Sequence, residues 1–305
     1  MRCASALMVG AVFALTGCGD DGGGLPNSDA GAIIDADVII DAAVPRDVIY
    51  SPSDAQVDPP LVDGGLQTAG LFTVARDDHF LRQLDLNTGG VSAAVAMHAG
   101  ATTPVGANGL AAHPLTGELF VLLKMPGGGG RQLAVVDPVT GALDLRGDTG
   151  DKFASLAFSG TGDRLYGVTG RGAAVPSSVY ALDPSTAATT LVQPLGAGDD
   201  GEAIAWNPTV GFMYHASGLS NARFEVIDLV DVVLHLPWVG DNPGEILAFT
   251  WYEPAAQFVA VAQNGDGDTQ IVLVDSTATV SPAVPGPLGY HPKGLAWVPL
   301  AAPAP

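Results

Sequence analysis

Five segments of this 305-residue chain share one pattern, and their even spacing constrains the fold more than any other feature. They are GLAAHPLTGELFVL from Gly109, SLAFSGTGDRLYGV from Ser155, AIAWNPTVGFMYHA from Ala203, AFTWYEPAAQFVAV from Ala248 and GLAWVPL from Gly294. Successive starts lie 46, 48, 45 and 46 residues apart. In each segment apolar and small residues alternate, a turn rich in Pro or Gly follows, and a second apolar run begins at once, which predicts a hairpin. A third run ending in aspartate comes next, as in QLAVVDPVTG, SVYALDPSTA, RFEVIDLVDV and QIVLVDSTAT. A fourth, weaker run such as ALDLRGDT or TTLVQPLG closes the unit. Four short strands in roughly 45 residues is the period of a β-propeller blade.

The last copy, GLAWVPL, is a first strand with nothing after it. The region from residue 70 opens instead with a second strand at Leu71, then a third at Leu81 and a fourth at Val91, and lacks a first. The C-terminal strand can complete that blade, which removes the open sheet edge that would favour aggregation. Leu71, Leu119, Leu165, Phe212 and Phe258 mark five second strands. The predicted fold is therefore all-β, a five-bladed β-propeller over residues 70–300 closed by its N- and C-terminal strands, with a tail at 301–305. Composition agrees: 40 Gly, 23 Pro and only 14% charged residues, against about 25% charged in an average domain, suit short strands and many turns.

Two sets of repeated residues follow from this register. Trp206, Trp251 and Trp297 fall at one position of the first strand, with Ile204, Phe249 and Leu295 on the same face and small residues opposite. Such a set could stack a ligand, but large-on-one-face, small-on-the-other is what lets tilted blades pack, so core packing is expected. Asp85, Asp137, Asp183, Asp228 and Asp275 end the third strands. Their expected task is to cap the following turn through nearby backbone N–H groups.

Residues 1–17 read as a targeting leader: Met1-Arg2, an apolar stretch from Ala4 to Leu15 too short for the ~20 residues of a membrane span, then small residues. Leu15-Thr16-Gly17-Cys18 resembles the lipobox of bacterial lipoproteins. The resemblance implies cleavage before Cys18 and its acylation; the alternative is an ordinary signal peptide. Cys3 and Cys18 are the only cysteines, so a mature chain holds one, and no internal disulfide. Residues 18–69 carry ten Asp and one Arg, with Gly22-Gly23-Gly24 and Pro59-Pro60. Like charges and short apolar islands predict a disordered acidic linker, although one island could add an edge strand. Gly19 is not the Asp that holds some lipoproteins at the inner membrane, so the expected location is the cell envelope at the outer membrane, on its periplasmic or surface face.

The propeller unit itself resembles the bacterial YVTN/NHL-like repeats, most closely in SLAFSGTGDRLYGV with SVYALDPSTA. The resemblance covers roughly Leu71 to Leu300 and implies a fold rather than an activity. The turn motif is degraded in every copy, and five units stand in place of the commoner seven.

In such propellers the loops from fourth to next first strand ring the channel mouth. Here they present Asp151, Asp200, Glu202, Asp241 and Glu245, with His291 and Lys293 in the fifth. Converging carboxylates can bind Ca²⁺, which takes about six to eight oxygens, or act as an acid/base pair; equally, they can be solvated turns. Asn264, Asp266 and Asp268 alternate like the start of a Ca²⁺ loop but lack its later ligands. Ca²⁺ is the one cofactor the sequence suggests. The glycines 127–130 lack the Lys-Ser/Thr of a phosphate loop, the six histidines show no metal-ligand spacing, and no Gly-x-Ser-x-Gly elbow occurs.

The net charge of −20 argues against nucleic-acid partners. The leading expectation is a monomeric, lipid-anchored binding module for an envelope protein or glycan. The alternative is a Ca²⁺-dependent hydrolase or lactonase-like enzyme working at the acidic mouth, and a passive structural lipoprotein is a third reading.

Overall fold

The computed structural model describes residues 68–195, 203–218, 222–284 and 288–299. The expected leader, Cys18, the linker up to Gln67, the tail at 301–305, and the candidates Asp200 and Glu202 lie outside the described residues.

The strands run as the repeat predicts. Strands β1 (Gly70–Ala75), β2 (Phe80–Leu84) and β3 (Val91–Ala96) belong to blade I. Blade II holds β4 (Gly106–Ala112), β5 (Leu119–Lys124), β6 (Gln132–Val136) and β7 (Leu143–Asp148). Blade III holds β8 (Phe153–Phe158), β9 (Leu165–Thr169), β10 (Ser178–Leu182) and β11 (Thr189–Pro194). Blade IV holds β12 (Ala203–Asn207), β13 (Phe212–Ser217), β14 (Arg223–Ile227) and β15 (Val233–Leu236). Blade V holds β16 (Glu245–Tyr252), β17 (Gln257–Gln263), β18 (Thr269–Val274) and β19 (Val280–Val284). The last strand, β20 (Pro292–Val298), joins blade I, whose order is β20-β1-β2-β3. The protein is thus a five-bladed β-propeller, closed as expected: Leu71 pairs Trp297, Phe72 pairs Ala296 and Val74 pairs Gly294.

The strand period of two explains how the blades stack. Phe72 and Val74 face blade II and pack with Leu110, Leu119 and Val121, while Leu71, on the opposite face of the strand, faces blade V and packs with Leu247, Val259 and Ile271. The five apolar clusters of the core correspond to the five blade–blade interfaces. Second strands are buried on both faces, so LFVLL and FVAVA read as unbroken apolar runs. Each fully buried Leu or Phe contributes about 1.5–3 kcal/mol.

First strands β20, β4, β8, β12 and β16 pack side by side around the axis, each against the next. Small residues allow this closeness. A Cβ on Gly294 would meet the Leu110 nitrogen at 2.7 Å, and one on Gly109, whose φ is +52°, would meet the Ser155 Cα at 2.9 Å. Because the five inner strands run parallel, the channel has an entry end, where they begin, and an exit end, where they finish.

Candidate functional site

The entry end carries the acids Asp151, Asp241 and Glu245 singled out in the sequence, but among the described residues no three carboxylates or histidines come together there. Asp151 accepts the N–H of Lys152 at 2.7 Å, and both its oxygens accept the N–H of Ala174 at 3.0 Å. It fastens one loop of blade III to another. Glu245 begins β16 and accepts from Lys293 Nζ at 3.2 Å. His291 precedes β20, and its carbonyl accepts the Arg76 N–H at 3.0 Å. Burial, and then the nearby Arg76, lower the basicity of its ring. Asp241 is exposed between β15 and β16. Asn264 Oδ1 accepts the N–H groups of Asp266 (3.0 Å) and Asp268 (2.9 Å), so this loop is closed by its own groups, with both aspartates exposed. Among the described residues no three His, Cys, Asp or Glu side chains stand close enough to hold a metal ion.

What the entry end does gather is positive charge. Lys124 ends β5, and Arg131 immediately precedes β6. Their strands pair Leu123 with Gln132, and one further step places the two cations next to each other at the end of the hairpin. Lys124 Nζ reaches across to blade I and donates to the Arg76 carbonyl at 2.7 Å. Desolvation lowers the Lys124 pKa to about 8; Asp77 offsets this in part, while Arg131, Arg76 and Lys293 add to it. Arg131 is half-buried, its Nε has no hydrogen-bond partner, and burial lowers its pKa. Sequence reasoning missed this cluster because its members come from β5, β20 and the residues just after β1 and just before β6. Aligning the repeats could have found it, since Lys124 and Arg131 flank the glycines 127–130 in one loop.

Nearby, Arg82 shows how this fold treats a cation it buries for structure. Arg82 is 2% exposed and makes a two-pronged pair with Asp78, at 2.9 and 2.6 Å, beneath the Tyr290 ring at 4.7 Å. Burial raises the Tyr290 pKa.

The exit end is apolar and aromatic. At equivalent positions of the five inner strands stand Ala112, Phe158, Trp206, Trp251 and Trp297, facing Leu119, Leu165, Met213, Phe258 and Leu71 respectively. The tryptophans pack on three successive blade interfaces, as expected of core residues. They also do something the packing argument did not foresee. They remain partly exposed and, with Phe158, line a cavity of about 260 Å³. Pro114, Pro208 and Pro299 extend its wall, and Ser159 and Glu253 add polar groups. Ala112 lines it too, where the other blades place an aromatic ring. The Trp297 indole N–H is buried without a hydrogen-bond partner.

Around this end the third-strand aspartates cap their turns as expected. Asp85 accepts the N–H of Asn87, Asp137 that of Val139, Asp183 that of Ser185, Asp228 that of Val230 and Asp275 that of Thr277, all within 2.7–2.9 Å. These hydrogen bonds hold the carboxyls below their ordinary value of 3.8; at Asp275 they outweigh an opposing desolvation.

No family model and no curated protein matches the chain. Among solved structures it is similar to TolB from Acinetobacter baumannii, 15% identical over 71% of this chain and 53% of that one, TM-score 0.49. It is also similar to a chain of a nidogen/laminin complex, 12% identical over 74% and 98%, TM-score 0.47. A third likeness is to Kuenenia stuttgartiensis hydrazine synthase, 14% identical over 77% and 71%, TM-score 0.43. The chain spans about half the length of the TolB chain. Among the described residues no helix is long and apolar enough to cross a membrane.

Proposed function

We propose that this chain is a lipid-anchored binding module of the cell envelope, whose propeller takes a small organic cation, of the quaternary ammonium kind, in the aromatic cavity. The observation that carries this reading is the cavity wall: three tryptophans and two phenylalanines, with Glu253 the only carboxylate among the described residues that line it. A cation over an aromatic face is attracted by the ring quadrupole, most strongly at Trp, by about 0.5–2 kcal/mol each. The protein's net charge of −20 favours a positive ligand. A sugar would require more hydrogen-bonding groups than Ser159, Thr250 and Glu253 supply. Residues 18–69 serve as the acidic tether from Cys18 to the propeller at 70–300, with the outer membrane as destination.

Choline or tetramethylammonium titrated into the full chain is expected to change tryptophan emission saturably, since three of the four tryptophans line the cavity. Ala112→Phe gives blade II the ring its neighbours have; it is expected to fill the space and abolish the change while the protein stays folded. An absent response, or one undiminished in Ala112→Phe, overturns the reading. The anchor is tested separately: Cys18→Ser is expected to release the protein from the membrane fraction, and retention there overturns it.

A further inference from the structure

We propose that Lys124 and Arg131, flanked by Arg76 and Lys293, form a binding site for the oxyanion of a small ligand, a phosphate or carboxylate group, at the entry end of the channel. The site is independent of the aromatic cavity and at the opposite end of the inner strands.

Charge distribution is the first argument. The chain has 32 acidic residues and only 12 Lys and Arg, yet four of those cations meet at one mouth. The second argument is what the neighbouring acids do. Asp77 pairs with Arg76 at 3.0 Å, Glu245 with Lys293 at 3.2 Å, and Asp148 and Asp151 are engaged by the backbone N–H groups of Gly150, Lys152 and Ala174. Among the described residues Lys124 and Arg131 form no ion pair. Lys124 and Arg131 stand one step beyond the Leu123–Gln132 pair, and Arg131 lowers the Lys124 pKa; like charges brought close at the end of a strand pair are destabilising, and a local rule broken with no carboxylate paired to either cation marks a functional position.

The geometry is also prepared. The Arg76 carbonyl holds Lys124 Nζ in place at 2.7 Å and leaves its other two donors free. Arg131 brings a planar fork that suits phosphate or carboxylate. Desolvation lowers the Lys124 pKa to about 8, and a bound anion would relieve the crowding of like charge that adds to it. The ligand must be small, because a protein of net charge −20 repels an extended polyanion.

The test is thermal melting of the full chain at pH 7 with sodium phosphate or sodium citrate, each against sodium chloride at equal ionic strength. A saturable rise in Tm of several degrees is expected, because a ligand bound only by the folded state stabilises it. A rise with phosphate alone assigns a phosphorylated ligand, and with citrate alone a carboxylate. Lys124→Met and Arg131→Met are expected to lose the rise, whereas Arg164→Gln, on an exit-end turn, keeps it. Lys124→Met is further expected to raise the Tm without any anion, which the loss of a merely structural lysine would not do. Equal melting in all three salts, or a rise that persists in the Lys124→Met/Arg131→Met double variant, overturns the proposal.

Discussion

At the exit end of the inner strands Phe158, Trp206, Trp251 and Trp297 line a cavity between proline-bearing turns, and carboxylates ring the turns around it. At the entry end of the same strands, Arg76, Lys124, Arg131 and Lys293 stand within electrostatic reach of one another. One set of five strands therefore presents an apolar, cation-seeking surface and a polar, anion-seeking one. The difference arises from what each end has to close. The exit end is formed by tight 1–2 turns, which bring strand ends together and squeeze out water. The entry end is formed by longer connections between blades, where charged side chains keep contact with solvent. A ligand bearing both charges could meet only one of its partners at each end.

The strongest way to probe this contrast compares two kinds of cation at the entry end itself. Asp78→Asn leaves Arg82, 2% exposed, without its counter-charge. Breaking one side of a buried pair typically costs about 3–5 kcal/mol, so the Tm is expected to fall by roughly 6–20 °C, at about 2–4 °C per kcal/mol. Adding Arg82→Met should recover part of the loss, because the double variant no longer buries an unpaired charge. Circular-dichroism melts of both variants measure this, and a double variant no more stable than Asp78→Asn would show that the guanidinium was serving chiefly as packing beneath Tyr290.

The fold was legible because its signals are periodic. Five copies of one pattern fixed the blades, alternation fixed their two faces, and the unpaired first strand at Gly294 fixed the closure. The turn-capping aspartates were legible for the same reason, each being local to its own turn. The tryptophans were half legible. Their register predicted packing, and they do pack, but the cavity depends on Ala112 replacing the ring that four other blades supply, a feature of the assembled ring rather than of any one repeat. The cation cluster was hidden because Arg76 after β1, Lys124 in β5 and Lys293 in β20 are far apart in sequence, and closure by β20 brings Lys293 beside the other two. The acids of the entry loops, close together in sequence, stand out more readily. Asp151 and Glu245 proved to be engaged with backbone N–H groups and with Lys293 respectively, and Asp200 and Glu202 lie outside the described residues.

A smaller effect of opposite sign separates Lys124 from Arg82. Lys124 has a folded pKa of about 8 against an ordinary 10.5. The folded state therefore binds fewer protons than the unfolded state between about pH 8 and 10.5, and this residue's contribution to stability rises with pH across that window. Arg76 and Asp77 after β1, Arg131 before β6 and Lys293 in β20 are the charged groups that act on it. At pH 7 Lys124→Met is expected to stabilise the protein by about 1 kcal/mol, the screened remainder of a larger desolvation cost. The gain should shrink steadily towards pH 10.5. Urea unfolding of both proteins at pH 7, 8.5 and 10 checks this, and a gain that stays constant with pH would mean that shape, not charge, had been corrected.

The smallest effect belongs to the exit end and lies in acid. Asp228 is partly exposed and accepts the N–H groups of Val230, Asp231 and Val232, which hold its carboxyl below 3.8. A depressed carboxyl stabilises the fold above its unfolded pKa, and that contribution is lost as pH falls through the folded one. Asp137, Asp183 and Asp275 behave alike, so the turns around the aromatic cavity weaken together below about pH 4, while the cations of the entry end keep their charge. Asp228→Asn keeps an oxygen that can cap the turn but cannot titrate. Its Tm should match that of the parent near pH 7 and fall less steeply between pH 5 and 2. Amide exchange in Val230 to Val232 gives the local readout: acid should open this turn in the parent and leave it protected in the variant, because the loss starts at the carboxyl and not in the core.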